Sequence, residues 1–100
     1  MKATWNGKTL AEAKKEDLIY IEGNWYFPPE SIHKEYFSPT KTQTTCYWKG
    51  EASYYTVNVN DMPNQDAAWY YAVPKAGSIE RVKKDFTNYV AFWHGVLVNE

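Results

Sequence analysis

The sequence predicts an all-β domain of small, twisted antiparallel sheets or a half-barrel, with one or two short helical turns. Three observations carry this reading. Runs rich in Val, Ile, Thr, Tyr, Phe and Trp, the residues that fit a pleated, half-buried surface, recur along the whole chain. Between them stand glycine dipeptides, Asn6-Gly7, Gly23-Asn24, Lys49-Gly50 and His94-Gly95, that suit tight bends. Most connections are too short for the crossover that a parallel pair requires, which leaves an antiparallel meander of roughly eight or nine short strands.

Taken in order, Ala3–Trp5 and Lys8 to about Ala13 flank Asn6-Gly7, the strongest hairpin signal present. A competing helical turn over Ala11–Glu16 is favoured by the capping-box pattern Thr9-Leu-Ala-Glu12 and the helix formers after it. Asp17–Glu22 and Trp25–Pro28 flank Gly23-Asn24 as a second hairpin, with Glu22 beside the bend and across from Trp25. Pro28-Pro29 ends that strand, because proline cannot donate to a ladder. Ser31–Phe37 reads as a helical turn or an irregular cover, and Ser38-Pro39-Thr40 as a loop.

Thr42–Trp48 and Glu51–Val59 are the central strands, with Lys49-Gly50 between them. Asn60–Asp66 is dense in turn formers and reads as a loop. Ala67–Val73 reads as a buried strand closed by Pro74. Ser78 caps a short helix, and Tyr89–Trp93 and Val96–Val98 form a last hairpin about His94-Gly95.

The 100 residues make one domain, residues 1–100, large enough for a modest core. Aromatics make up 18% of the chain, so many Trp and Tyr rings must sit half-buried, each needing a partner for its polar atom. A net charge of −1 supplies no basic field for a phosphate backbone, and no nucleic-acid partner is expected. One cysteine makes neither an internal disulfide nor a Cys-rich zinc site, and no metal and no cofactor are expected. The N-terminus lacks a signal-peptide core and no run reaches transmembrane length, so the expectation is a cytoplasmic domain with no membrane partner.

The chemistry-bearing residues crowd into a few places. Cys46 invites a nucleophile reading with Lys49 as the nearby cation, but neither His33 nor His94 is spaced to serve as its base. A lone strand cysteine is more commonly a small buried hydrophobe. Lys49 and Glu22 each adjoin a bend among aromatics, where two opposite charges and stacking rings suit a small polar ligand. The bland alternative is a solvated turn lysine and an exposed glutamate. Trp25, Tyr26, Trp48, Tyr54, Trp69 and Tyr71 are expected to cover one face of the sheet.

These residues also carry a resemblance. Trp5-x-Gly7 with Leu10-Ala11, Glu22-Gly23-x-x-Tyr26-Phe27-Pro28, and Thr45-Cys46-Tyr47-Trp48-Lys49-Gly50-x-Ala52-x-Tyr54-Tyr55 occur in that order. Ala68-Trp69-Tyr70-Tyr71-x-x-Pro74 and Val90-Ala91-Phe92 follow. In this the chain resembles the DUF427 domain family over nearly its whole length, departing from many members at Tyr47 (Pro) and Ala13 (Ser). The resemblance implies a small all-β domain similar to the tent-like, Mss4-like fold, of unestablished function. The paired Cys-x-x-Cys zinc ligands of that fold group have no counterpart here. The family's nucleotidyltransferase label finds neither a Gly-rich phosphate loop nor closely paired Asp carboxylates. The motif positions carried over are Glu22, Tyr26, Cys46, Lys49, Tyr54 and Trp69.

Two functional readings follow. The first is a small-molecule-binding domain, which extends to an enzyme of unknown reaction, whose ligand site draws on Glu22, Tyr26, Cys46, Trp48, Lys49, Tyr54, Trp69 and Tyr71. It requires those side chains to converge on one concave site. The alternative is a non-enzymatic protein-interaction or self-assembly module, which uses exposed rings and sheet edges and predicts a homodimer.

Overall fold

A computed structural model describes all 100 residues. Asn6 and Gly7, both at positive φ (49° and 79°), form the expected two-residue bend between β1 (Lys2–Trp5) and β2 (Lys8–Glu12). The second hairpin is displaced by one residue from the sequence expectation. Its bend is Glu22-Gly23 (φ 51° and 85°), and β3 (Ile19–Ile21) pairs with β4 (Asn24–Tyr26). Glycine takes the second bend position, which pushes Glu22 into the first. Glu22 therefore lies within the turn, and Tyr20 is the residue across from Trp25, their ring centroids 4.7 Å apart.

The largest sheet has four strands in the order β5 (Phe37–Cys46), β6 (Gly50–Val59), β7 (Met62–Tyr70), β8 (Val90–Phe92). Two stretches expected to be loops lie inside it. Ser38-Pro39-Thr40 belongs to β5, where Pro39 is tolerated because β5 is an edge strand. Of Asn60–Asp66 only Asn60-Asp61 makes the turn, both at positive φ (53° and 62°), and the rest opens β7. β8 reaches only Ala68–Tyr70 of β7, so Pro63 also faces a free edge.

The β5–β6 connection is Tyr47-Trp48-Lys49, and Gly50 opens β6 at φ 112° instead of sharing the bend. The expected strand to Val73 stops at Tyr70, because the following segment folds back on Gly50: Gly50 bridges Pro74, and the Lys75 N–H donates to the Lys49 carbonyl at 2.9 Å. A Cβ at Gly50 would lie 3.1 Å from the Lys75 nitrogen and 3.3 Å from the Val73 oxygen, so this crossing needs glycine.

The short helix α1 (Ser78–Val82) is present, but Gly77 takes the cap position, and the Ser78 hydroxyl donates to the Lys75 carbonyl at 2.6 Å. Three 3-10 turns, Lys15–Asp17, Pro29–Ser31 and Lys34–Tyr36, supply the other helical geometry. His94-Gly95 forms a bend (φ 54° and 86°), yet β8 and β9 (Leu97–Asn99) do not pair with each other. β9 adds to the free edge of β1, giving a three-stranded sheet β2-β1-β9. Every strand pairing is antiparallel, and the three sheets stay open, in the orders β2-β1-β9, β3-β4 and β5-β6-β7-β8. No helix is long and apolar enough to cross a membrane.

The four-stranded sheet separates two apolar clusters, as the alternation along β6 requires. Val57 and Val59 face one way, with Leu10, Ala11, Phe27 and Phe92. Ala52 and Tyr54 face the other, with Ile19, Ile21, Tyr26, Tyr71 and Phe86. Paired amide bonds between Phe27 and Val90, 2.8 and 2.9 Å, tie the β3–β4 hairpin to β8. Trp25 packs on the first cluster and not, as expected, with the other candidate rings.

Candidate functional site

The second cluster gathers the candidate residues. Tyr26, Tyr54 and Tyr71 are buried within it, and Cys46, Trp48 and Trp69 pack against its margin. The register explains the arrangement: Tyr54 of β6 lies opposite Trp69 of β7 on one face of the sheet. The Trp69 indole N–H donates to the Tyr26 hydroxyl at 3.1 Å, and the Tyr54 hydroxyl shares a 2.9 Å hydrogen bond with Thr44. No buried side-chain polar atom lacks a partner.

Lys49 runs into this cluster from the end of the Tyr47–Lys49 bend and is only 7% exposed. Its Nζ donates to Glu22 Oε1 at 2.6 Å. It also lies 5.5 Å from the ring centroids of both Trp48 and Tyr71, within cation–π range. Burial alone would drive its pKa down, but the hydrogen bond it donates to Glu22 and the neighbouring Tyr26 and Tyr71 outweigh it, and the net shift is upward. The surroundings thus favour the ammonium form, the opposite of the lowered pKa by which a lysine is activated as an amine nucleophile.

Glu22 stands at the tip of the β3–β4 hairpin with its side chain half in water. The hydrogen bond from Lys49 holds its carboxyl below the usual range against a smaller opposing effect of desolvation; the Trp48 indole and the Arg81 charge add to the lowering. Burial raises Tyr26, and burial with Tyr26 beside it raises Tyr71 to about 12. Both phenols are neutral hydroxyls at physiological pH. The cluster thus offers a fixed cation, a fixed carboxylate and neutral hydroxyls, which suits orientation of a polar group better than proton transfer.

Concavity lies beside this cluster and not over it: of the eight candidate residues only Trp48 borders a depression, so the expected convergence on one concave site is not seen. A depression of about 260 Å³ is lined by Tyr47, Trp48, Lys75, Ser78 and Arg81, among others, and by neither Glu22 nor Lys49. Trp48 is the link, since one ring borders the depression and also contacts Lys49. The Arg81 guanidinium lies 4.2 Å from the Trp48 ring centroid, and Lys75 Nζ donates to the Tyr47 carbonyl at 2.8 Å. Sequence reading missed Lys75 and Arg81. Only the crossing over Gly50 brings Lys75 to Tyr47, and no local pattern signals it. The largest cavity, about 850 Å³, lies elsewhere and takes in Glu12, Asp17, Glu30, Asp85 and Tyr89. No group of three or more His, Cys, Asp and Glu is arranged to hold a metal ion.

A family model described as a domain of unknown function (DUF427) matches residues 1–99, and the chain belongs to that family. No curated protein matches the sequence.

Proposed function

We propose that this DUF427 domain binds a small molecule at the surface where Glu22, Trp48 and Arg81 emerge beside the buried Lys49. The observation that carries the reading is the backbone of Glu22. Its φ of 51° is a left-handed conformation that Asn, Asp and Gly tolerate and that costs other residues on the order of 1 kcal/mol. A hairpin selected for stability alone would place Asn there. Glutamate supplies instead a carboxylate that reaches Lys49 with one oxygen and keeps the other side of the group in water. Strain of this kind is characteristic of sites held for a purpose other than folding.

In this reading Lys49 is the internal brace. It fixes the Glu22 carboxylate in position and, through its contacts with Trp48 and Tyr71, fixes the rings as well. The accessible groups are then the Glu22 carboxylate as an acceptor, the exposed part of Trp48 and the Arg81 guanidinium. Tyr26, Tyr54, Trp69 and Cys46 lie behind these in the apolar cluster and line no depression.

The test is a thermal-shift screen of the purified domain against nucleotides, sugars and small organic acids, repeated on Glu22→Gln and Trp48→Leu. Selective binding to the native state raises the melting temperature by linkage. The reading expects a dose-dependent shift that both substitutions reduce. A panel with no shift at millimolar concentrations counts against it, as does a shift that neither substitution changes.

A further inference from the structure

We propose that the depression beside Trp48 takes a small oxyanion, carboxylate or phosphate, that carries a planar ring. This goes beyond the binding reading above: it shares Trp48 and Arg81 with that surface and does not use Glu22. Lys75 and Arg81 hold the anion, and Tyr47 provides the stacking face.

Charge is the first support. The depression is lined by two cations and by no carboxylate. Neither cation is in an ion pair: the three ion pairs of the protein use Lys2, Lys15 and Lys49. Glu22, whose carboxylate feels the Arg81 charge, is already held by Lys49.

Pre-organisation is the second. The hydrogen bond to the Tyr47 carbonyl fixes Lys75 Nζ at the rim and leaves its remaining N–H groups free. The amide bond from Lys75 to Lys49, at 2.9 Å, anchors that segment to the bend. Arg81 lies over the Trp48 ring, which immobilises the guanidinium while its N–H groups stay available for a two-point contact with an oxyanion. The ordering cost that usually weakens such contacts is therefore partly met before binding.

Shape is the third. Tyr47 is 78% exposed, a large ring presented to solvent at the mouth of the depression. A volume of about 260 Å³ admits a single ring with its acidic group and little more.

The experiment is an NMR or calorimetric titration of the domain with phenyl phosphate, benzoate, inorganic phosphate and benzylamine. Phenyl phosphate or benzoate should bind and benzylamine should not. Lys75→Met and Arg81→Gln should each weaken binding about tenfold or more, the expected loss for one charge-assisted contact, and Lys75→Arg should restore part of it. Both side chains are exposed, so the variants should fold, and unchanged melting temperatures will establish that. Benzylamine binding as well as the anions, or affinities unmoved in both variants, overturns the proposal. Inorganic phosphate binding as tightly as phenyl phosphate overturns the stacking role of Tyr47. A neutral or cationic ligand that Glu22→Gln abolishes and Arg81→Gln leaves intact overturns the anion assignment and leaves the parent reading standing. No binding by any ligand in either experiment removes both.

Discussion

Lys49 Nζ and Glu22 Oε1 meet at 2.6 Å, although the lysine side chain is 8% exposed and the glutamate side chain 53%. The two partners of this ion pair therefore sit in different media, and removing one is not equivalent to removing the other. Glu22→Gln leaves an enclosed ammonium without its counter-charge. Lys49→Met leaves a carboxylate that water can solvate and a thioether stem that the surrounding rings can pack.

Glu22→Gln should accordingly destabilise the domain more than Lys49→Met, by about 1–2 kcal/mol. That lies below the ~3–5 kcal/mol of a fully enclosed pair because half of the glutamate stands in water. Urea unfolding of the two variants measures the difference. Equal losses, or a larger loss in Lys49→Met, would show that the pair is energetically a surface contact.

Alkaline stability follows from the same cluster. Lys49, Tyr26 and Tyr71 all have raised pKa values in the folded state, so the native protein keeps protons that the unfolded chain gives up. Their stabilisation is complete below the unfolded values, near 10 for the tyrosines and 10.5 for the lysine, and is lost as pH rises past them, with Tyr71 titrating at about 12. The melting temperature should fall steadily from about pH 10 upward, and less steeply in Tyr71→Phe. Glu22 acts in the opposite sense: its contribution is present above about pH 4.5 and is lost as pH falls through its lowered folded value. A melting temperature flat to pH 12 would contradict the buried setting of the two phenols.

How much of this was legible in the sequence depends on the range of the interaction that decides it. The Asn6-Gly7 hairpin was legible because the bend chemistry is local. The proximity of Glu22 and Lys49 was partly legible, since each adjoins a bend among rings. The role of Gly50 was not, because the residue it must admit is Lys75, far along the chain. Pro39 and Pro63 obscured β5 and β7 because a proline is compatible with a strand only at a free edge, and edges are a property of the assembled sheet. β9 was mispaired for a similar reason: His94-Gly95 turns the chain, but the open edge of β1 recruits the next strand. The depression beside Trp48 was invisible because three separate segments build it.

Gly50→Ala tests the crossing directly. The new methyl group meets two backbone atoms, the Lys75 nitrogen at 3.1 Å and the Val73 oxygen at 3.3 Å, and φ 112° is strained for alanine. Neither contact is the end of a flexible side chain that can swing away. The loss should exceed the ~1 kcal/mol of an ordinary glycine replacement. Gly7→Ala is the control, since it also has positive φ (79°) but nothing within 4 Å. Gly50→Ala should further weaken any ligand of the Trp48 depression, whereas Gly7→Ala should not. Matching losses in stability would mean that the Val73–Lys75 segment crossing Gly50 tolerates displacement.

A last prediction concerns Asp66, which lies within β7. Its carboxylate accepts from Thr40 at 2.9 Å through Oδ1 and from Thr42 at 2.8 Å through Oδ2. These threonines lie where the β5–β6 register shifts, between Pro39 and Gln43, so the side-chain bonds replace ladder bonds that the irregularity removes. Asp66 itself sits at φ 55°, a conformation that Asp and Asn accept more readily than most residues. Asp66→Ala should cost about 1–2 kcal/mol, combining the two lost hydrogen bonds with backbone strain. Asp66→Asn should cost less, because it keeps one acceptor and the tolerance of positive φ. Hydrogen exchange should accelerate at Thr40–Thr42 in the alanine variant and leave β6 protected. Acceleration spread evenly over the whole sheet would mean that Asp66 supports the fold globally and does not serve as a local clamp on its edge strand.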